Sequence, residues 1–149
     1  MQTDEQRDES VRLAVYDHFV RAGDAPEAAE LAGRLKVAKT DLAASYRRLA
    51  EQRALVLDAD GAIAMAIPFS ALPTDVTVRG PDVTWWANCA FDGLGIPPML
   101  GCDGVVETAC PQSGAPIIVA VRDSAPMRAA CVLHMAVPLA QWWQNIADT

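Results

Sequence analysis

Apolar residues recur at helical spacing over residues 7–22, where Val11, Leu13, Ala14, Val15, Phe19 and Val20 form one face between charged positions. The pattern predicts an amphipathic helix that breaks at Gly23-Asp24-Ala25-Pro26. A second, short helix is expected over 26–34, with Ala28, Ala29, Leu31 and Ala32 inward. Pro26 suits its first turn, where the missing N–H has no partner to lose. A third helix is expected from a cap at Thr40 or its neighbour to about Gln52, burying Leu42, Ala43, Tyr46 and Leu49. The periodicity then shortens. Ala54-Leu55-Val56-Leu57 and Ala62-Ile63-Ala64-Met65-Ala66-Ile67 flank Asp58-Ala59-Asp60-Gly61, which predicts a hairpin.

Three helices and a hairpin predict a winged helix-turn-helix over residues 1–70, followed by a small mixed domain over 71–149. The fold class expected is α+β. Pro68–Pro73 is expected to be a connector and 74–78 a strand. An apolar helix is expected around 86–95, ended by Pro97-Pro98. Two strands, 105–110 and 117–121, should pair around the turn Pro111-Gln112-Ser113-Gly114. The apolar run 129–137 predicts another strand, and 138–147 a terminal helix.

Composition narrows the class. A chain of 149 residues with 52% hydrophobic and 21% charged content is globular. No apolar run is long enough to cross a bilayer, so no membrane partner is expected. The polar, acidic start Met1–Glu9 does not resemble a secretory signal, and a cytoplasmic location with reduced thiols is expected. The net charge of −7 argues against nucleic acid as a partner. Residues 1–70 hold nine of the twelve Lys and Arg and twelve of the nineteen acids. The second half is nearly bare of charge, which suits an apolar pocket. All four cysteines, Cys89, Cys102, Cys110 and Cys131, lie there. No two are spaced as Cys-x-x-Cys and only His134 is near any of them, so a structural zinc site has little support. In an oxidising compartment two disulfides would be open to them.

The segment that carries chemistry is Cys89-Ala90-Phe91-Asp92, inside the apolar run Trp85–Gly101. On a helical turn, positions i and i+3 share a face, so thiol and carboxyl can converge on one atom. A thiolate binds soft metals. A carboxyl in an apolar pocket holds its proton to higher pH and can deliver it. The plain reading is a small core thiol beside a helix-capping Asp.

Downstream come Cys110-Pro111-Gln112-Ser113-Gly114-Ala115-Pro116 and then Cys131, ahead of Pro138-Leu139-Ala140-Gln141-Trp142-Trp143. With Cys89-Ala90-Phe91-Asp92, this order resembles the organomercurial (alkylmercury) lyase family. The resemblance implies a winged-helix-like N-terminal part packed on a catalytic part. It implies cleavage of a carbon–mercury bond in a small organometallic substrate, with release of hydrocarbon and Hg(II). Cys89 would attack mercury as thiolate, Cys131 would supply the second thiolate, and Asp92 would relay the proton and then help hold the mercuric product. No bound cofactor is implied; external thiols would remove the product. Cys110 would sit in a structural turn.

The segment between the Gly-Ala-Pro turn and Cys131 is shorter than in the family, and the histidine pattern after it differs. Cys131 thus stays open between second thiolate and buried core cysteine. Cys102 has no family counterpart, and His134 reads as a half-buried histidine. Trp85-Trp86 and Trp142-Trp143 are expected to wall the core. Two other functions remain open from sequence. One is a thiol-based sensor of metal or electrophile whose third helix reads DNA through Lys39, Arg47 and Arg48. The other is an enzyme of this scaffold with a non-mercurial substrate. Nothing in the sequence speaks to oligomeric state.

Overall fold

The computed structural model describes residues 2–127, 130–135, 137–144 and 146. Three helices come first: α1 (Asp4–Ala22), α2 (Ala28–Leu35) and α3 (Lys39–Glu51). Thr3 caps α1 through a reciprocal bond with Gln6, and Gly23 closes it in the left-handed region at φ 85°. α3 starts one residue before Thr40 with Ala38 at its cap, so no side chain caps it.

The chain then builds one antiparallel sheet. Its strands are β1 (Val56–Leu57), β2 (Ile63–Ala66), β3 (Phe69–Ser70), β4 (Thr77–Arg79), β5 (Thr84–Ala87), β6 (Gly104–Ala109), β7 (Pro116–Arg122) and β8 (Ala125–Pro126). The spatial order is β1-β2-β3-β5-β4-β6-β7-β8. Helix α4 (Ala90–Leu100) leaves β5 and packs on β4, β5, β6 and β7. A 3-10 helix, Leu139–Gln144, follows.

One buried cluster joins the helices to the sheet. Val11, Val15 and Phe19 of α1, Leu31 of α2 and Leu42 and Leu49 of α3 meet Phe69, Val78, Trp85, Ile96, Val106 and Val121 in it. The Phe19 and Phe69 rings stack at 5.6 Å between centroids. The indole N–H of Trp85 donates to the Phe19 carbonyl at 2.8 Å. A buried indole needs such a partner.

Four expectations are corrected. Pro68–Pro73 is not only a connector: Phe69 and Ser70 form β3, paired with β2 on one side and β5 on the other. Trp86 and Ala87 are strand rather than helix, because β5 completes the ladder between β3 and β4. Pro97 and Pro98 do not end α4; it runs on to Leu100. Each proline removes a helical donor. The carbonyls they carry are satisfied from beyond the helix, by the N–H of Cys102 to Pro97 and of Gly101 to Pro98. Burial of Ile96 and Pro97 against the sheet offsets the lost bonds. The described parts of 129–137, residues 130–135 and 137, form no strand, and Val132 is 90% exposed. The sheet ends at β8, two exposed residues of which one is Pro126. An edge proline offers no N–H to a further strand. Ala129 and Ala136, and Asn145 and Ala147 of the expected terminal helix, lie outside the described residues.

Gly93 sets how closely α4 approaches the sheet. A Cβ there would stand 2.9 Å from Val76 Cγ1 and 3.1 Å from Val106 Cγ1. Gly93→Ala is therefore expected to destabilise the protein. Overpacking costs about 1–3 kcal/mol, against roughly 0.5–1 kcal/mol gained from alanine's helix preference. The facing valines are stiff at χ1 and give way poorly. Denaturant unfolding of the two proteins checks this; an unchanged midpoint would mean that α4 can lift off the sheet freely.

Candidate active site

Cys89 is the N-cap residue of α4, in extended conformation at φ −148° and ψ 175°. Its carbonyl accepts the first helical bond, from Gly93 at 2.9 Å. Its thiol lies 3.5 Å from Asp92 Oδ2, with S–H as donor and carboxylate as acceptor. The helical turn thus brings thiol and carboxyl together, as the i, i+3 spacing predicts, with the thiol at the mouth of the helix rather than on its side.

Both groups are half-buried. Burial pushes the Cys89 thiol up from its ordinary pKa, and the neighbouring Asp92 charge adds to this. The backbone N–H groups of Asp92 and Phe91, at the positive end of α4, pull the other way without closing a full capping bond. Burial also raises the Asp92 carboxyl, opposed by Cys89 and by the nearby Asn88 side chain. The result is a thiol that holds its proton beside a carboxyl that can accept and return one.

Phe91, between them, is 46% exposed and meets Trp142 edge-on, with ring centroids 5.7 Å apart and planes at 77°. Trp142 is fixed by its indole N–H to the Val137 carbonyl at 2.9 Å. Trp143 lies under the Arg53 guanidinium, 5.4 Å from its ring centroid. The 3-10 helix therefore bridges the start of α4 and the residues that follow α3. Trp85 is core, whereas Trp86, Trp142 and Trp143 are only partly buried.

The other thiols stand apart from this pair in character. Cys131 is exposed, so the alternative of a buried core cysteine is excluded. Arg128, just before it, lies outside the described residues. Among the described residues no three His, Cys, Asp or Glu side chains gather into a group able to hold a metal ion. Cys110 is partly exposed in the β6–β7 turn rather than in the core. Its carbonyl accepts from Gly114 and its N–H donates to Ala115, both at 2.8 Å. The Ser113 hydroxyl and the N–H groups of Ser113 and Gln112 hold its thiol below the ordinary range. Cys102 is half-buried beyond α4, and His134 is exposed, not half-buried.

Asn88 went unnoticed in the sequence. Its Nδ2 and Oδ1 are both buried and neither has a hydrogen-bond partner. The only signal was a polar residue inside Trp85-Trp86-Ala87-Asn88-Cys89.

On the N-terminal side, Arg48 donates from Nε and Nη2 to the two Asp8 oxygens, each at 2.6 Å, and from Nη2 to Ser45 at 3.2 Å. Asp8 is only 6% exposed, and this pairing holds its carboxyl below the usual range. One of the three cations expected on a DNA-reading face is thereby tied to α1. Arg47 shares a hollow with Asp58 and Asp60, which would repel phosphate.

A half-buried thiol–carboxyl pair at the head of a helix, laid on an antiparallel sheet, defines an α+β protein with a thiol–acid site. Residues 69–149, more than half of the chain, match the family model described as alkylmercury lyase, and the chain belongs to that family. Among solved structures it is similar to the mercury-bound form of MerB2, with a TM-score of 0.67 and 22% identity over 84% of this chain and 60% of that one. That likeness concerns the fold; the chain spans about three fifths of that structure's length. No curated protein matches the chain. No helix among the described residues is long and apolar enough to cross a membrane.

Proposed function

We propose that the protein cleaves the carbon–mercury bond of small organomercurials by protonolysis. The observation that carries the proposal is the 3.5 Å approach of Cys89 Sγ to Asp92 Oδ2 at the half-buried head of α4. Cys89 gives its proton to Asp92 and binds mercury as thiolate, displacing the labile ligand. The carbon–mercury bond then breaks with its electron pair going to carbon, and the proton on Asp92 goes to the same carbon. Hydrocarbon leaves; Hg(II) stays on sulfur, helped by Asp92, until external thiols take it. Protein and mercury suffice for this balance, with no resident cofactor called for.

Cys131 is proposed as the second thiolate. The support is its place in chain order after the Cys110 turn, and its exposure leaves the sulfur free to bind incoming mercury. Residues 1–70 are proposed as a winged-helix-like unit supporting the 71–149 part; the order α1-α2-α3-β1-β2 supports that reading. The net charge of −7 supports a role without nucleic acid.

Phenylmercury offered with excess thiol tests the proposal. Benzene should appear in the headspace, with Hg(II) passing to the thiol over many turnovers. A stable Cys89 adduct with no benzene would leave a mercury-binding protein and no lyase.

A further inference from the structure

Among the described residues, Asn88, directly before Cys89, carries two buried side-chain polar atoms without a hydrogen-bond partner. Its backbone is fixed on both sides. Ala87 before it is fully buried and pairs with Phe69, and Cys89 after it opens α4. Its own N–H reaches the Pro68 carbonyl at 3.4 Å. The side chain is thereby held inside, with Nδ2 and Oδ1 both out of reach of solvent and both unpartnered. A buried, unpaired polar group costs about 1–3 kcal/mol. A leucine of similar size would avoid that cost, so packing alone gives no reason for an amide here. Asp92 is close enough for the amide to favour the charged carboxylate, though no hydrogen bond of good geometry closes.

We propose that Asn88 is a positioning residue for Asp92: its amide closes onto the carboxyl once substrate occupies Cys89, and aims the carboxyl at the departing carbon. The proposal rests on the lyase reading. An amide suits the task because one side chain offers both a donor and an acceptor. Oδ1 can accept from the carboxylic acid that carries the proton, and Nδ2 can donate to the carboxylate left once that proton goes to carbon, so the carboxyl is held before and after the delivery. Small errors in aim are costly when a proton must meet one carbon. Asn88 itself touches neither mercury nor carbon in this scheme.

The test separates capture from cleavage. Asn88→Leu removes both polar atoms at nearly constant volume, and Asn88→Ala serves if the leucine variant does not fold. Adduct formation at Cys89 with phenylmercury is followed by protein mass, benzene release by gas chromatography, and stability by thermal melting. The expected result is an unchanged capture rate, cleavage slowed about 10–100-fold, in the range usual for residues that orient a reacting group, and a melting temperature equal to or above that of the wild type. Cleavage at the wild-type rate would overturn the proposal. So would capture, cleavage and melting temperature falling together, which is the signature of a merely structural amide. A wild-type protein that captures phenylmercury but releases no benzene would refute the lyase reading instead. The Asn88–Asp92 contact is then read by NMR on the phenylmercury adduct: the Asn88 side-chain amide signals must move in Asp92→Asn, and signals that stay in place overturn the proposal.

Discussion

Cys89→Ser is expected to bring organomercurial cleavage down to background, while Cys110→Ser keeps most of its turnover. A serine hydroxyl is nearly the size of a thiol, so the head of α4 should still form. It is a hard, protonated group at neutral pH and a poor ligand for a soft metal. Cys110 lies in the β6–β7 turn, and its thiolate-stabilising partners, Ser113 and Gln112, belong to that turn. Benzene release from phenylmercury measures both variants; full activity in Cys89→Ser would sink the mechanism. The two thiols should also differ in free reactivity. Burial holds Cys89 above the ordinary thiol pKa, so its thiolate fraction at neutral pH is small and rises as pH climbs toward that raised value. Cys110 is shifted down and is a thiolate at lower pH. Iodoacetamide at neutral pH should label Cys110 before Cys89.

Phe19→Ala is expected to cost about 3–5 kcal/mol, the range for deleting a fully buried aromatic side chain. The ring is 0% exposed and stacks on Phe69 with 9° between planes. Losing it opens a cavity between α1 and the sheet, at the point where the Phe19 carbonyl receives the Trp85 indole. Set against a typical total of about 5–15 kcal/mol, this is a large share. Urea unfolding should show a much lower midpoint with an unchanged slope, and benzene release per folded molecule should be preserved. A loss below about 1 kcal/mol would mean that the cavity collapses at little cost, which the range for such deletions does not allow in a rigid core.

The elements most legible in the sequence are those with one wet face. α1, α2 and α3 alternate apolar and charged positions at helical spacing. The β1–β2 hairpin and the β6–β7 pair are bracketed by turn residues. The Cys89–Asp92 contact was legible because it depends on a single local turn. What could not be read depends on partners far along the chain. Trp85-Trp86-Ala87 is apolar on both faces, so no period distinguishes strand from helix; the ladder with β3 and β4 decides it. Pro97 and Pro98 break helices by local rules, but Pro97 is buried against the sheet beside Gly104, where a Cβ would stand 2.8 Å from the Pro97 ring. The apolar run around Cys131 suggested a strand, yet residues 130–135 form none, and the β8 edge that precedes them carries Pro126, which has no N–H to donate. Asn88 escaped notice because an unpaired amide shows itself only when its surroundings are known.

The place of β3 bears on how the molecule comes apart. Phe69 and Ser70 follow directly on the helices and the hairpin, yet they hydrogen-bond to β5, which carries the chain into Cys89. Early and late parts of the chain are thus woven into one ladder with no seam between them. Such a lattice has no inexpensive partial melt: freeing the helices strips β5 of a neighbour, and freeing β5 unseats the helix that bears the thiol. The protein should lose its helices and its reactive cysteine geometry in a single cooperative step. Heat or denaturant would then switch the whole population off together, with no half-folded fraction in which the helices have melted while Cys89 keeps its place beside Asp92.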